Sequence, residues 1–310
     1  ASDVYKRQLY VKAVLYKEFS CMNKDIKNYF NSIWSKNHQV VVAPPQSTDF
    51  ANFTYCGCGF VVQYKGYKFF ITADHVIHGE HFEADERNVE DNVVGVLQCK
   101  NDMECYASLV VPLGGIYDFT KYQIPKSKDD LVFPELVDVA FCKVDEELEA
   151  CVTIELRIEN EIIVSAGEPK GFITTELFLE HPSKDELYVI TGTILKVHQN
   201  GIRFSPLNAV YCGLKYIETE NNLFHLKYPQ IIDYQQWAGL SGSPVFNNEG
   251  KLLGMLLRVE DGGHAVWIKP ISEIVKLLDY SLTIEKLDLD NKIQSVSYTH
   301  LRAHETLSDL

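Results

Sequence analysis

Apolar residues follow a helical period near the start of the chain. One face of residues 22–36 is apolar at helical spacing: Met22, Ile26, Tyr29, Phe30, Ile33 and Trp34. This spacing predicts an amphipathic helix that packs on the domain behind it. Residues 43–47, which include Pro44 and Pro45, break the pattern and predict a linker.

From residue 56 the apolar residues occur in short β-branched and aromatic runs. Residues 59–64 and 67–72 flank a turn at Lys65-Gly66, which predicts a β-hairpin. Similar runs predict further strands at 93–98, 106–111, 131–133, 138–144, 152–157, 161–164, 172–178, 187–197, 202–206, 209–213, 223–227, 243–247, 251–259 and 264–268. A helical pattern at 271–279 predicts a closing helix. Many short strands with few helices are typical of an all-β barrel or sandwich.

The two ends of the chain differ in character from their neighbours. Residues 1–8 and 295–310 resemble translated adaptor sequence, and we exclude them from the fold prediction. The remaining chain divides into a helical extension and linker at 9–45, a first barrel at 46–160, a second barrel with its closing helix at 161–282, and a tail at 283–294.

Charge and composition narrow the classes of partner. The net charge of −14 argues against nucleic acid, because phosphate binding needs clustered Lys and Arg. No apolar run approaches the ~18 residues that span a bilayer, so neither a membrane nor a nucleic-acid partner is expected. Eight cysteines are too few for a disulfide scaffold, and we expect thiols in a reducing, cytoplasmic compartment.

Three segments carry residues suited to nucleophilic catalysis. His75 follows the first hairpin, Asp138 begins an apolar strand, and Ser241 precedes another strand. A serine hydroxyl needs a base to take its proton, and a buried carboxylate holds that base in one tautomer. The three residues therefore form a candidate catalytic triad. Glycine two positions before the serine permits a turn that aims the backbone N–H groups of Gly239 and Ser241 at a developing oxyanion.

These segments resemble the motifs of trypsin-like serine peptidases. Thr72-Ala73-Asp74-His75 resembles the T-A-x-H motif, Asp138-Val139-Ala140 the D-[IVL]-A motif, and residues 239–244 the G-x-S-G-[GS]-P motif. The resemblance covers residues 52–282. It implies a chymotrypsin-like fold of two antiparallel six-stranded β-barrels, here with an N-terminal helix and a short C-terminal helix. It also implies a stand-alone, bacterial-type serine endopeptidase that acts on protein or peptide substrates without a cofactor or metal.

The same resemblance places a substrate pocket and identifies departures. Gln235 is expected near the base of the primary pocket, with Arg258 and Ala265 along its walls. No carboxylate stands where it would select Lys or Arg. Arg258 either favours acidic or polar side chains or is simply solvated. Leu240 stands where activatable members carry an Asp that pairs with a newly freed N-terminus, which argues against that route of activation.

Further departures concern the serine motif and the spacing of the triad. Ser243 replaces a common glycine and should leave the oxyanion hole intact. The His75–Asp138 separation of 63 residues implies a long loop near 80–130, either a lid, a docking surface or a passive insertion.

Other readings of the residues remain. His75, His78 and His81 with Cys56 and Cys58 suggest a metal site, but only adjacent histidines of such a helix share a face and C-x-C lacks the usual zinc spacing. An inactive scaffold with the same fold is the stronger rival. A regulatory partner not visible in the sequence is compatible with either. The triad order His, Asp, Ser excludes an α/β-hydrolase esterase.

Overall fold

The structure is a computed structural model. It describes residues 26–44, 55–78, 92–98, 109–113, 117–119, 137–144, 150–152, 155–158, 161–197 and 204–289. The strand predicted at 131–133 and most of the insertion predicted near 80–130 lie outside the described residues.

The N-terminal part of the chain forms one large sheet behind a short helix. Helix α1 (Ile26–Trp34) comes first. The sheet contains β1 (His38–Ala43), β2 (Tyr55–Tyr64), β3 (Tyr67–Thr72), β4 (Val93–Gln98), β5 (Leu109–Leu113), β6 (Tyr117–Phe119) and β7 (Val137–Lys143). Its order is β5-β4-β1-β2-β3-β7-β6, with antiparallel neighbours throughout. A short helix, α2 (Asp74–His78), follows β3.

A small hairpin and a parallel strand connect this sheet to the rest of the chain. Strands β8 (Leu156–Ile158) and β9 (Glu161–Val164) pair with each other. Strand β10 (Ile173–Thr174) then pairs in parallel with β2. The boundary predicted between residues 160 and 161 stays a prediction.

The C-terminal strands close into a six-stranded antiparallel barrel. Its members are β11 (Tyr188–Val197), β12 (Phe204–Glu220), β13 (Leu223–Lys227), β14 (Pro244–Asn247), β15 (Leu252–Val259) and β16 (Ala265–Pro270), in the order β11-β12-β13-β16-β15-β14. Helix α3 (Tyr234–Trp237) precedes β14, and helix α4 (Ile271–Leu289) follows β16. The predicted all-β class and a closed second barrel are confirmed.

Closure of the first sheet into the predicted first barrel stays a prediction. Its order runs from β5 at one end to β6 at the other, and within the described residues no ladder joins those two strands. The two strands are consecutive in the chain, and the residues between them lie outside the described part. The sequence pattern predicts strands and their buried faces. It does not indicate whether the first and last strands of a sheet pair with each other to close a barrel.

Two further elements differ in extent from the sequence prediction. The runs at 202–206 and 209–213 form one strand, β12, because β11 pairs with it continuously from Phe204 onward. Gly213, at φ +81°, lies where the register between the two strands shifts. Helix α4 ends at Leu289 rather than at residue 279, and Leu282 packs against the core beyond the predicted end.

The apolar interior consists of two clusters. One fills the barrel and includes Tyr188, Leu226 and Val266. The other lies between the first sheet, helices α1 and α4, and one side of the barrel, where Phe246 and Met255 contribute. This second cluster therefore ties the sheet and the barrel together by burial of apolar surface.

Helix α1 is anchored to the barrel by polar contacts as well. Tyr29 Oη donates a hydrogen bond of 2.8 Å to the Asn247 carbonyl. Directly after the helix, Asn37 Nδ2 donates to the Thr191 carbonyl at 2.9 Å. The packing predicted for this helix against the domain behind it is thus seen at β14 and β11.

His38 is a buried histidine at the start of β1. Its Nε2 lies 3.4 Å from the Gly171 carbonyl, and its ring meets Phe70 edge to face. Burial, assisted by the charge of Lys170, lowers the pKa of His38 to about 3. The side chain is therefore neutral in the folded protein over the range in which an unfolded histidine titrates.

We expect His38 to make stability depend on pH. Between about pH 6.5 and the folded pKa of about 3, the unfolded chain binds a proton that the folded protein does not, so the free energy of unfolding falls as pH falls. The slope is at most about 1.4 kcal/mol per pH unit. His38→Phe keeps a ring against Phe70 and removes the titration.

Urea denaturation of both proteins at about pH 7.5 and about pH 5 measures this effect, since most carboxylates stay ionised over that interval. The wild type should lose more stability than the variant on acidification. Equal losses would show that His38 does not cause the dependence.

Candidate active site

His75 and Asp138 are brought together by the pairing of β3 with β7. Thr72 pairs with Ala140, and the strands are antiparallel, so Asp138 lies beyond the end of β3 and faces the start of α2. His75 Nδ1 lies 2.8 Å from Asp138 Oδ2, and the His75 backbone N–H donates to Oδ1 at 3.0 Å. Each side chain is 16% exposed. Both carboxylate oxygens thus hold the same residue.

This geometry selects one tautomer of the imidazole. An ionised carboxylate only accepts hydrogen bonds, so Nδ1 of His75 carries the proton that lies between them. Nε2 of a neutral ring is then the basic nitrogen, and it points away from Asp138. The pair is therefore arranged as a base with its orienting carboxylate.

Ser241 lies in the connection between α3 and β14. Its Oγ donates to the Leu257 carbonyl on β15 at 3.3 Å, and its own carbonyl accepts from the Cys58 N–H at 2.9 Å. The side chain is only partly exposed. The barrel loop is thus bound directly to strand β2 of the first sheet.

A contact at Gly57 shows how close the serine segment comes to helix α2. A Cβ on Gly57 would lie 2.6 Å from Val76 Cγ1 and 3.2 Å from the Ser241 carbonyl oxygen. The residue after His75 and the backbone of Ser241 therefore adjoin the same point on β2. The expected contact between Ser241 Oγ and the His75 ring stays a prediction.

The turn before Ser241 has type II geometry. Ala238 has φ −56° and ψ 128°, Gly239 has φ +90°, and the Leu240 N–H donates to the Trp237 carbonyl at 3.0 Å. Type II turns need glycine at their third position because other residues resist positive φ. Gly239 therefore uses the positive φ that the sequence analysis predicts for the turn before the serine.

Within the described residues, three of the backbone N–H groups from Gly239 to Ser243 have backbone acceptors and two have none. The N–H groups of Leu240, Gly242 and Ser243 donate to the carbonyls of residues 237, 256 and 240. For the N–H groups of Gly239 and Ser241, no acceptor is found in the described part of the chain. These are the two N–H groups that the sequence predicts as oxyanion donors, and that role stays a prediction.

Leu240 and Gly242 fit the loop to its surroundings. Leu240 is fully buried in the barrel cluster, where a charged residue would be costly. Gly242 has φ +87°, and a Cβ there would lie 1.9 Å from the Cys58 carbonyl oxygen. Ser243 is also fully buried, and its Oγ accepts from Asn37 Nδ2 at 3.3 Å.

The three residues predicted for the substrate pocket lie on hydrogen-bonded segments around the β15–β16 turn. Arg258, on β15, stacks on the Trp267 ring with its guanidinium 4.7 Å from the centroid. Ala265 accepts from the Glu260 N–H at 2.9 Å. Gln235 is exposed on α3, next to Tyr234, whose N–H donates to the Asp261 carboxylate. Their role in substrate binding stays a prediction.

His78, a residue of the candidate metal site, contacts a carboxylate of its own helix. Its Nδ1 lies 3.0 Å from Asp74 Oδ1, one helical turn earlier in α2. The described residues contain no group of three His, Cys, Asp or Glu side chains placed to hold a metal ion. His81 lies outside the described residues.

Sequence reasoning missed two partners of the serine loop. The Leu257 carbonyl that accepts from Ser241 is a backbone group and has no signature in the sequence. Cys58, whose thiol lies 3.4 Å from the Gly239 carbonyl oxygen, enters the sequence analysis only through the metal hypothesis.

The described helices include none with the length and apolar character to cross a membrane.

Comparison with known proteins gives a weak structural likeness. No family model and no curated protein matches the sequence. The serine endoprotease of Yersinia pestis matches at 16% identity and a TM-score of 0.42, over 81% of this chain and 65% of that one, just under two thirds of its length. The active form of the Rv3671c protease from M. tuberculosis matches at 14% and 0.39, over 82% and 86%. At these values the likeness carries no argument about chemistry, which rests on the geometry above.

Gly239→Ala should disrupt the turn without a steric clash. The nearest atom to an added Cβ is Ile194 Cγ2 at 3.5 Å, so the penalty is the positive φ, about 1 kcal/mol or more. Relaxation toward a type I turn would rotate the N–H of residue 239 away from its present direction. We expect a large loss in the rate at which a fluorophosphonate labels the protein.

Gly66→Ala is the matched control. Gly66 has φ +84° with nothing within 4 Å of an added Cβ, and it lies at the tip of the β2–β3 hairpin. Gly66→Ala should lower the melting temperature about as much as Gly239→Ala does, and it should leave the labelling rate unchanged. Equal labelling of both variants would contradict the role of the turn.

Proposed function

We propose that this protein is a serine endopeptidase, which hydrolyses peptide bonds through an acyl-enzyme formed on Ser241. The observation that carries the proposal is the Asp138 carboxylate bound to His75 Nδ1, which makes Nε2 the basic nitrogen of the ring. The next residue, Val76, adjoins the same point on β2 as the Ser241 carbonyl, which supports a contact between the ring and the serine. The N–H groups of Gly239 and Ser241, which have no acceptor among the described residues, support the same chemistry.

In the first step, His75 Nε2 accepts the proton of the Ser241 hydroxyl. Rotation about the side-chain torsion of Ser241 exchanges the Leu257 carbonyl for that acceptor. Oγ then bonds to the substrate carbonyl carbon, and the displaced electron pair moves to the carbonyl oxygen. The N–H groups of Gly239 and Ser241 donate to this oxyanion.

In the second step, the tetrahedral intermediate breaks its C–N bond. The leaving amine takes the proton from Nε2, and the acyl group stays on Ser241. A water molecule then gives one proton to Nε2 and attacks the ester, which releases the acid and restores the hydroxyl. Throughout, Asp138 holds the imidazole and stabilises its charged form.

Strand β15 offers an edge for an extended substrate. Its ladder with β14 pairs Pro244 with Met255, while Arg258 and Val259 pair with β16 on the other side. Among the described strands, none pairs with the second edge of Leu257–Val259. A peptide added there would be held by main-chain hydrogen bonds next to Ser241, which favours a protein or peptide substrate.

An inactive scaffold of the same fold is the alternative. The observation that favours it is the hydrogen bond from Ser241 Oγ to the Leu257 carbonyl, which occupies the hydroxyl proton. Reaction with an activated phosphonate distinguishes the two, because a scaffold has no activated nucleophile.

A fluorophosphonate probe should label the wild type at Ser241. Ser241→Ala should abolish the labelling. Asp138→Asn should slow it by about 10³- to 10⁴-fold, because the amide donates toward Nδ1 and stabilises the wrong tautomer. Mass spectrometry locates the label, and the time course gives the rate.

The variants separate the possible failures of this assignment. A label that persists in Ser241→Ala would show that another residue is the nucleophile. An unlabelled wild type that is folded by circular dichroism would favour the scaffold. A rate unchanged in Asp138→Asn would remove Asp138 from the triad.

We expect cleavage after acidic or polar residues rather than after Lys or Arg. The predicted base of the pocket carries the neutral side chain of Gln235 rather than a carboxylate. Arg258 is exposed, and one face of its guanidinium lies on the Trp267 ring. A peptide library analysed by mass spectrometry gives the preference, and Arg258→Gln should weaken any selection for acidic residues. Cleavage confined to Lys or Arg would refute the pocket assignment.

A further inference from the structure

A buried thiol lies directly beneath the loop that carries Ser241. Cys58 is fully buried on β2, and its Sγ lies 3.4 Å from the Gly239 carbonyl oxygen. The backbone N–H of the same residue donates to the Ser241 carbonyl at 2.9 Å. One residue of the first sheet therefore contacts the loop at two points, on either side of Leu240.

The peptide that the thiol contacts lies between the two peptides of the candidate oxyanion hole. The Gly239 N–H belongs to the 238–239 peptide and the Ser241 N–H to the 240–241 peptide. The intervening 239–240 peptide is bound at both ends, because its N–H donates to the Trp237 carbonyl and its carbonyl receives the thiol. Fixing this plane limits the rotation of both neighbours.

The environment of Cys58 keeps it a thiol and keeps it in place. Burial raises the pKa of Cys58, so the sulfur carries a proton at neutral pH and can donate it. A Cβ on Gly192 would lie 3.2 Å from Sγ, so the sulfur is enclosed on the side of β11. A second acceptor, the Thr193 carbonyl, is farther away, at 3.9 Å. The side chains of Ser243 and Asn37 also hydrogen-bond to the sulfur, which lowers the pKa of Cys58 less than burial raises it.

We infer that Cys58 is a positioning residue, whose S–H group holds the 239–240 peptide so that the N–H groups of Gly239 and Ser241 face one oxygen. The inference rests on the proposed function and adds to it a residue that does not touch the substrate. Negative charge collects on the substrate oxygen in the transition state. Loss of the Cys58 S–H donor should therefore lower the rate of reaction more than it weakens initial binding.

Three variants test this role. Cys58→Ala removes the donor, and Cys58→Ser replaces it by a hydroxyl of similar reach. Cys212→Ala is the matched control, because Cys212 is an equally buried cysteine in the core cluster, on β12. Each protein is treated with a fluorophosphonate over a range of concentrations, which separates the limiting labelling rate from the concentration at half-maximal rate. Thermal denaturation records the stability of each.

We expect the limiting labelling rate to change and the half-saturating concentration to stay nearly constant. Cys58→Ala should lower the limiting rate about tenfold, equivalent to ~1.4 kcal/mol, with the half-saturating concentration changed less than about twofold. Cys58→Ser should recover most of the rate. Cys212→Ala should lose comparable stability and keep the wild-type rate.

Other outcomes overturn the inference and are distinguishable from failure of the proposed function. A labelled wild type with equal rates in Cys58→Ala would show that the thiol does not position the hole. Equal loss of rate in the Ala and Ser variants would show a packing role without hydrogen bonding. An unlabelled wild type would refute the proposed function itself and, with it, this inference.

Discussion

The contact between strand β2 and the Ser241–Gly242 turn is the interaction on which the rest of the site depends. The Cys58 N–H binds the Ser241 carbonyl at 2.9 Å, and the backbone of Gly242 approaches so closely that a Cβ would lie 1.9 Å from the Cys58 carbonyl. His75 lies in α2, between two strands of the first sheet, whereas Ser241 lies in a connection between strands of the barrel. This approach joins the two parts of the fold that carry them, and it requires a residue without a side chain at 242.

Much of the site could be predicted because its residues have side-chain or conformational signatures. The pairing of Asp138 with His75 followed from two short motifs, and the β3–β7 register places them together. Gly239 was singled out for positive φ, which it has. Backbone acceptors such as Leu257, and the role of Cys58, leave no such trace because they depend on which segments meet in space.

The junction of sheet and barrel contains buried polar atoms without partners. Within the described residues these include Asn37 Oδ1, both polar atoms of the Gln39 side chain, and Thr191 Oγ1. Gln39 pairs with Cys58 in the β1–β2 register, so these atoms lie near the serine loop. Each costs about 1–3 kcal/mol of desolvation, so the junction is held by the apolar cluster beside it rather than by its polar atoms.

The long separations in sequence between these partners bear on the order in which the chain folds. Cys58 and Gly239 are 181 residues apart, and His75 and Asp138 are 63 apart. Contacts of such separation carry a large loop-closure entropy and are characteristic of slow folding. During synthesis the base and its carboxylate emerge long before the serine, and the loop that carries it is not secured until the barrel strands after it have paired. A nascent or half-folded chain therefore lacks the assembled site, and under the proposed function peptide hydrolysis begins only with completion of the fold.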